Sequence, residues 1–341
     1  MLSRFIGLIA TTMAILSCGP RYGESEATTS RQGGPQLLND SLKTLGFIGD
    51  SLTFGQVTDL VLDSIGDVYV LDALNGMLHG FGSDWRAVDS TGRRGGGPGE
   101  FNHASRVMTT AGGDLIVLDQ ANLRLSVYSA NQGKVTWLRD MRLPFPPSDA
   151  CVLGDIVVAM GLFDGQTLHE LTDSGTIKLS FAPVPDNTAV PAFAATGFVR
   201  CDARSQTIVQ VPGTMPGVRG FTASGQMVWQ HNLVGYHPIV YEIGSAGTVT
   251  PKFDSTGIAH GAVAVFILND STVAIQLEVT RRGEVFGKGR EIDTRLLDLH
   301  TGEERAATRR LPRLAYVRDT LAFAVASDPY PRIQVLTVTR K

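Results

Sequence analysis

The chain has 341 residues, 43% of them hydrophobic and 18% charged, which is ample for one large buried core or two ordinary ones. A formal net charge of −3 gives no electrostatic reason to expect a nucleic-acid partner. Thirty-eight glycines and no long stretch of period 3.6 point to a turn-rich, all-β protein.

Met1 to Ser17 carries one early positive charge, Arg4, followed by an apolar segment from Phe5 to Leu16 that is too short to span a bilayer. It ends Ile15-Leu16-Ser17-Cys18, which resembles the lipobox of bacterial lipoproteins. That resemblance implies removal of residues 1–17 as a signal peptide and lipidation of Cys18. Gly19 after the cysteine resembles the pattern of outer-membrane retention in a Gram-negative cell. The expected location is therefore the cell envelope, with the membrane reached only through the lipid anchor. Residues 18–35 are polar, contain Gly, Pro and Ser, and read as a flexible tether.

Residues 36–341 carry two punctuation marks in step. The first is a turn followed by an apolar strand: Gly66-Asp67-VYVLD, Gly113-Asp114-LIVLD, Gly154-Asp155-IVVAM, Ser205-Gln206-TIVQV, Asp270-Ser271-TVAIQ and Arg318-Asp319-TLAFA. The spacings between copies, 47, 41, 51, 65 and 48 residues, match blades of four strands. The second mark is a later hairpin turn at Ser83–Trp85, Asn131–Gly133, Asp173–Gly175, Ala223–Gly225 and His300–Gly302. The sixth copy ends before its fourth strand, and Gln36 to Phe47 is expected to supply it, closing the ring and removing its exposed edges. The prediction is a monomeric six-bladed β-propeller, with Val234 to Ala259 forming an elaborated loop over one face.

Copy two is the best preserved. Gly92 to Phe101 (GRRGGGPGEF) resembles the GxxGxGPGEF element of bacterial six-bladed β-propeller lipoproteins. Phe101 to Arg106, Gly113 to Asp119 and Asn122 to Tyr128 resemble an NHL-type repeat. The first copy keeps Gly66 to Asp72 and Asn75 but has Met77 near the usual arginine. The resemblance implies a propeller and no single activity, since such propellers include ligand binders, interaction modules and a few enzymes.

Several short motifs suggest chemistry. Gly49-Asp-Ser51-Leu resembles the GDSL block of SGNH hydrolases with Ser51 as nucleophile. The partners that chemistry needs are not spaced correctly: Asp298-Leu-His300 is one residue short of DxxH, and Asn269-Asp270 lacks the preceding glycine. Asp254-Ser-Thr-Gly257 brushes an aspartic-protease signature with no second copy. The glycines of 92–99 lack the Lys-Ser/Thr of a P-loop and read as a blade-to-blade crossover using positive φ.

His103 and His260 each lie 11 residues before the first turn mark of copies two and five, which places them on opposite sides of a channel mouth. They are candidate ligand or metal residues; no cofactor is otherwise expected, and Ca2+ or Zn2+ would be the ions to consider. Cys151 and Cys201 sit at the start of the innermost strands of copies three and four, as a disulfide or as two buried thiols. Three function classes follow, the least developed being a structural subunit of an envelope complex. One is a non-catalytic scaffold binding a protein, glycan or small ligand. Another is a channel-based lyase or lactonase using His103, His260 and acidic loop residues such as Asp149 or Asp202.

Overall fold

The computed structural model describes residues 42–48, 54–185, 191–213, 217–244, 248–253, 255–284, 291–308, 311–326 and 330–338. The lipobox with Cys18, and Ser51 and Asp254, lie outside the described residues.

A seven-residue strand, β1 (Leu42–Ile48), opens the described chain. Blade 1 follows as β2 (Val57–Leu62), β3 (Val68–Asp72), β4 (Met77–Phe81) and β5 (Ala87–Thr91). Blade 2 is β6 (Ala104–Thr109), β7 (Leu115–Asp119), β8 (Arg124–Asn131) and β9 (Lys134–Arg142). Blade 3 is β10 (Pro147–Leu153), β11 (Ile156–Phe163), β12 (Gln166–Leu171) and β13 (Ile177–Pro183). A short helix, α1 (Pro191–Ala194), precedes blade 4, which is β14 (Gly197–Asp202), β15 (Thr207–Pro212), β16 (Val218–Thr222) and β17 (Met227–His231). The excursion between blades 4 and 5 is a hairpin of its own, β18 (Val240–Ile243) and β19 (Val249–Lys252). Blade 5 is β20 (Ile258–Asn269), β21 (Thr272–Arg281), β22 (Glu291–Asp298) and β23 (Glu304–Thr308). Blade 6 has β24 (Tyr316–Arg318), β25 (Leu321–Ala326) and β26 (Arg332–Val338).

Each blade is an antiparallel sheet paired in chain order. Blade 6 takes its fourth strand from the N-terminal side: β1 pairs antiparallel with β26, Phe47 opposite Gln334. This is the ring closure predicted from the missing strand, and it makes the protein a six-bladed β-propeller. The outermost strand is thereby held by the chain's other end, so no blade is left with three strands.

Burial peaks in the second strand of a blade and falls to the outer one. All five residues of β3 and of β7 are buried, because each blade is covered on both faces by its neighbours. The outer strand β5 is exposed or half-buried throughout. Apolar side chains gather in six clusters, one between each successive pair of blades around the ring.

Two carboxylates tie blade entry to blade interior. Asp72, at the end of β3, accepts from the Gly55 and Gln56 amides at 2.8 Å and from Asn75 Nδ2 at 2.7 Å. Asp119 repeats this with the Asn102 amide at 3.0 Å and Asn122 Nδ2 at 2.6 Å. The Asp-x-x-Asn spacing thus fixes the approach to the inner strands of blades 1 and 2.

Two faces follow from strand direction. The upper face carries the starts of the inner strands, the blade-to-blade crossovers and the loops joining second to third strands. The lower face carries the remaining turns. Since β1 is an outer strand running upwards, the chain enters the disc at its lower rim.

Candidate binding face and central channel

The inner strands carry a charge pattern that repeats with the blades. Thr58-Asp59, Ser105-Arg106 and Ser148-Asp149 each place a hydroxyl residue before a charged one. In all three the pairing register slips at the hydroxyl residue, between Val57 and Asp59, Ala104 and Arg106, and Pro147 and Asp149. A β-bulge re-aims the side chain that follows it. Here it turns three charges towards one another, and Arg200 of β14 completes the set.

The charges alternate around the axis. Arg106 Nη1 lies 3.3 Å from Asp59 Oδ2, and Arg106 Nε lies 3.8 Å from Asp149 Oδ1. Arg200 Nη1 donates to Asp149 Oδ2 at 2.6 Å, and its Nε donates to the Val265 carbonyl of β20 at 2.7 Å. The carboxylates also accept backbone amides from the next inner strand: Val107 to Asp59 and Val199 to Asp149, both at 2.9 Å. The result is a neutral girdle linking the inner strands of blades 1 to 5.

Its energetics are those of buried charge. Burial pushes the Asp59 carboxyl above its usual range in spite of Arg106. Burial also lowers the Arg200 pKa, helped by the like charge of Arg106. Burial opposes the charge on Arg106 too, yet the carboxylates of Asp59 and Asp149 on either side hold it above its usual value. Such a network fixes the relative position of blades more than it adds net stability.

The residues picked out by sequence sit in different settings. Asp149 is not a loop residue; it sits in β10 as the hub of the girdle. Asp202 closes the β14–β15 turn on the lower face, accepting from the Ser205 amide at 2.8 Å and hydroxyl at 2.6 Å. His103 is exposed in the crossover with φ 70°. His260, in contrast, is 4% exposed, stacked on His237 at 5.7 Å, with Nδ1 accepting the His237 amide at 3.1 Å. Tyr236 and His237 of the excursion pack over it. Among the described residues no group of three or more His, Cys, Asp or Glu side chains gathers to hold a metal. Asp298 binds the His300 and Thr301 amides, at 2.7 and 2.9 Å, and caps the β22–β23 hairpin rather than orienting a base.

Cys151 and Cys201 are joined as a disulfide with Cα atoms 5.5 Å apart. They lie towards the ends of β10 and β14 rather than at the starts. Neighbouring inner strands do not diverge here, because they run close to the axis and are clasped by the Val199 amide on Asp149.

The glycine loop is engaged by its own blade. Arg124 donates to the carbonyls of Gly97 at 2.9 Å and Glu100 at 2.6 Å, and Asn122 Nδ2 donates to that of Gly95 at 2.9 Å. Glu100 accepts the Gly97 amide at 2.7 Å. Position 92 requires glycine on two counts: its φ is +100°, and a Cβ there would lie 2.7 Å from the Gly76 carbonyl oxygen.

Two buried histidines outside the sequence reading hold third strands to fourth strands. His79 Nδ1 meets Ser90 Oγ at 2.7 Å, and His169 Nδ1 meets Ser180 Oγ at 2.9 Å. His169 Nε2 donates to the Gly161 carbonyl at 3.0 Å, so its Nδ1 accepts from Ser180. Burial lowers both pKa values from the ordinary 6.5. The folded state therefore favours neutral rings, and the unfolded chain takes up the protons first. Stability is full above about pH 6.5 and is lost as pH falls below it, by up to about 1.4 kcal/mol per pH unit for each histidine. Thermal melts of the wild type between pH 8 and 5 should show this fall. His79→Gln with His169→Gln should flatten it; an unchanged slope would refute the assignment.

The upper face has a further character. The exposed apolar side chains Leu74, Leu123, Phe163, Val234, Ile243 and Tyr330 lie in or beside its loops, whereas others, such as Val88 and Leu138, lie on outer strands. Phe193 of α1 packs against Tyr241 of β18 in a tilted pair, ring centroids 4.6 Å apart, joining two insertions on that face.

Comparison with known proteins agrees with this architecture. Residues of this chain are 31% identical over 110 positions to NHL repeat-containing protein 3 of Mus musculus. Its repeats are NHL-like. The match spans 30% of this chain and 31% of the mouse protein. No family model matches the chain. Among solved structures, a member of the DUF4221 family from Bacteroides vulgatus aligns with TM-score 0.58 at 10% identity, over 88% of this chain and 99% of that one. A protein from Bacteroides fragilis described as exported aligns with TM-score 0.51 at 13% identity, over 88% and 96%. A streptogramin B lyase aligns with TM-score 0.50 at 10% identity, over 86% and 97%. At such identities the likeness is one of fold. No described helix is long and apolar enough to cross a membrane.

Proposed function

We propose that this protein is an exported propeller of the cell envelope, tethered to a membrane through Cys18, that binds a partner on its upper face without acting on it chemically. The observation that carries this reading is the girdle. The acid and base groups of the inner strands are locked to one another as structure, and Asp202, Asp298 and His260 are each held by local hydrogen bonds. The channel wall therefore serves to hold blades together, and the loops of the upper face are the working surface.

Exposed apolar side chains on those loops favour a protein partner over a glycan or small ligand. The Bacteroides fragilis neighbour, described as exported, agrees with an exported location.

The test has two arms. Mass spectrometry of the mature N-terminus should find a lipidated Cys18, and Cys18→Ser should release the protein from membranes; an unmodified N-terminus refutes the tether. Mild crosslinking in intact cells should capture one defined partner, lost when β18–β19 is replaced by a short Gly-Ser link. Stoichiometric metal lost on His103→Ala or His260→Ala would overturn the non-catalytic reading.

A further inference from the structure

Arg219 in β16 stands directly opposite Gln210 in β15. Both side chains point into the cleft between blades 3 and 4. Phe221, two residues after Arg219, meets Phe181 of blade 3 with ring centroids 5.4 Å apart, and residues i and i+2 of a strand share a face. Gln210 confirms the direction, since its Nε2 donates to Thr167 Oγ1 of blade 3 at 2.9 Å. β16 begins at the upper face, so Arg219, its second residue, lies at the upper end of that cleft.

The two side chains are both incompletely used. Arg219 is 8% exposed and Gln210 0% exposed. Among the described residues no carboxylate acts on Arg219; burial alone bears on it and lowers its pKa. Gln210 Oε1 is buried with no donor. An arginine buried without a counter-charge is costly, and an orphaned amide oxygen beside it adds to that cost. Elsewhere the protein pairs its buried arginines: Arg106, Arg124 and Arg200 all face carboxylates.

We propose that the upper end of the blade 3–blade 4 cleft is a binding site for a small oxyanion, a carboxylate or phosphate group. Arg219 supplies the charge and the planar fork of donors, and Gln210 Oε1 accepts an N–H or O–H of the same ligand. A guanidinium suits either oxyanion because its paired N–H groups match two oxygens at once. The site rests on this cleft alone and is independent of the Cys18 tether and of any upper-face partner.

The experiment is titration of the full-length protein with sodium acetate and, separately, sodium phosphate, with chloride holding ionic strength constant. Calorimetry and thermal melts are read together. The wild type should show saturable binding with a matching rise in Tm. Arg219→Gln should weaken it by about 10- to 100-fold, and Arg219→Lys, which keeps the charge without the fork, should also weaken it. A response to acetate alone assigns a carboxylate ligand, and to phosphate alone a phosphoryl ligand. Absence of a response to either anion in the wild type overturns the proposal, as does a response that survives in Arg219→Gln. Should Arg219→Gln not fold, Arg219→Lys and Gln210→Leu provide the same comparison.

Discussion

Asp149→Leu is expected to destabilise the propeller by about 3–5 kcal/mol, the cost of leaving buried charge unpaired. The carboxylate accepts from Arg200 at 2.6 Å and from the Val199 amide at 2.9 Å, and it lies 3.8 Å from Arg106. Removing it strands one guanidinium, weakens the hold on a second and orphans a backbone donor. Arg200→Met alone should cost less, because Asp149 would keep Arg106 and the Val199 amide. The double variant Asp149→Leu with Arg200→Met should recover much of the loss, since an apolar pair can replace a buried ion pair with little penalty. Urea denaturation of the four proteins closes the cycle. A loss below about 1 kcal/mol for Asp149→Leu would mean that water reaches the girdle and screens its charges.

Reduction of Cys151–Cys201 is the second large effect. The bridge closes a loop of separation 50, for which chain entropy predicts about 4 kcal/mol. Reductant should lower the urea midpoint of the wild type and leave Cys151→Ala with Cys201→Ala unmoved. Equal midpoints with and without reductant in the wild type would show that the thiols do not pair. The bridge and the Asp149–Arg200 pair join the same two strands, β10 and β14. Their losses should therefore combine non-additively, because either clasp alone keeps blades 3 and 4 together. That junction is also where α1 intervenes between blades, so the two clasps hold a seam with a longer connection across it.

The cell-envelope reading and the oxyanion site make separate demands on experiment. Cys18 decides the first and Arg219 the second, and neither outcome alters the other.

Much of the architecture was legible in residues near one another along the chain. The turn marks from Gly66-Asp67 to Arg318-Asp319, the apolar second strands and the later hairpin turns are local signals, because turn chemistry and period-2 burial act over a few residues. Counting them yields six blades, and a sixth copy short of a strand implies closure by β1. The glycines of 92–99 were likewise readable as a crossover from the lack of Lys-Ser/Thr.

The site was not legible in the same way. Asp59, Arg106, Asp149 and Arg200 lie some forty to fifty residues apart, and the packing of successive blades brings them together. A signal existed in Thr58-Asp59, Ser105-Arg106 and Ser148-Asp149, but its meaning depends on a bulge that a sequence does not display. His260 reads like His103 by position. Only the excursion, folding back so that the His237 amide reaches His260 Nδ1, separates an exposed ring from a covered one. Asp202 carries the right chemistry for catalysis at the wrong end of its strand. Residue type and spacing determine which elements form and how many times they repeat. Which charges meet, which histidine is sealed and which arginine is left without a counter-charge are decided by contacts between blades, where the partners are distant in sequence and adjacent only once the blades pack.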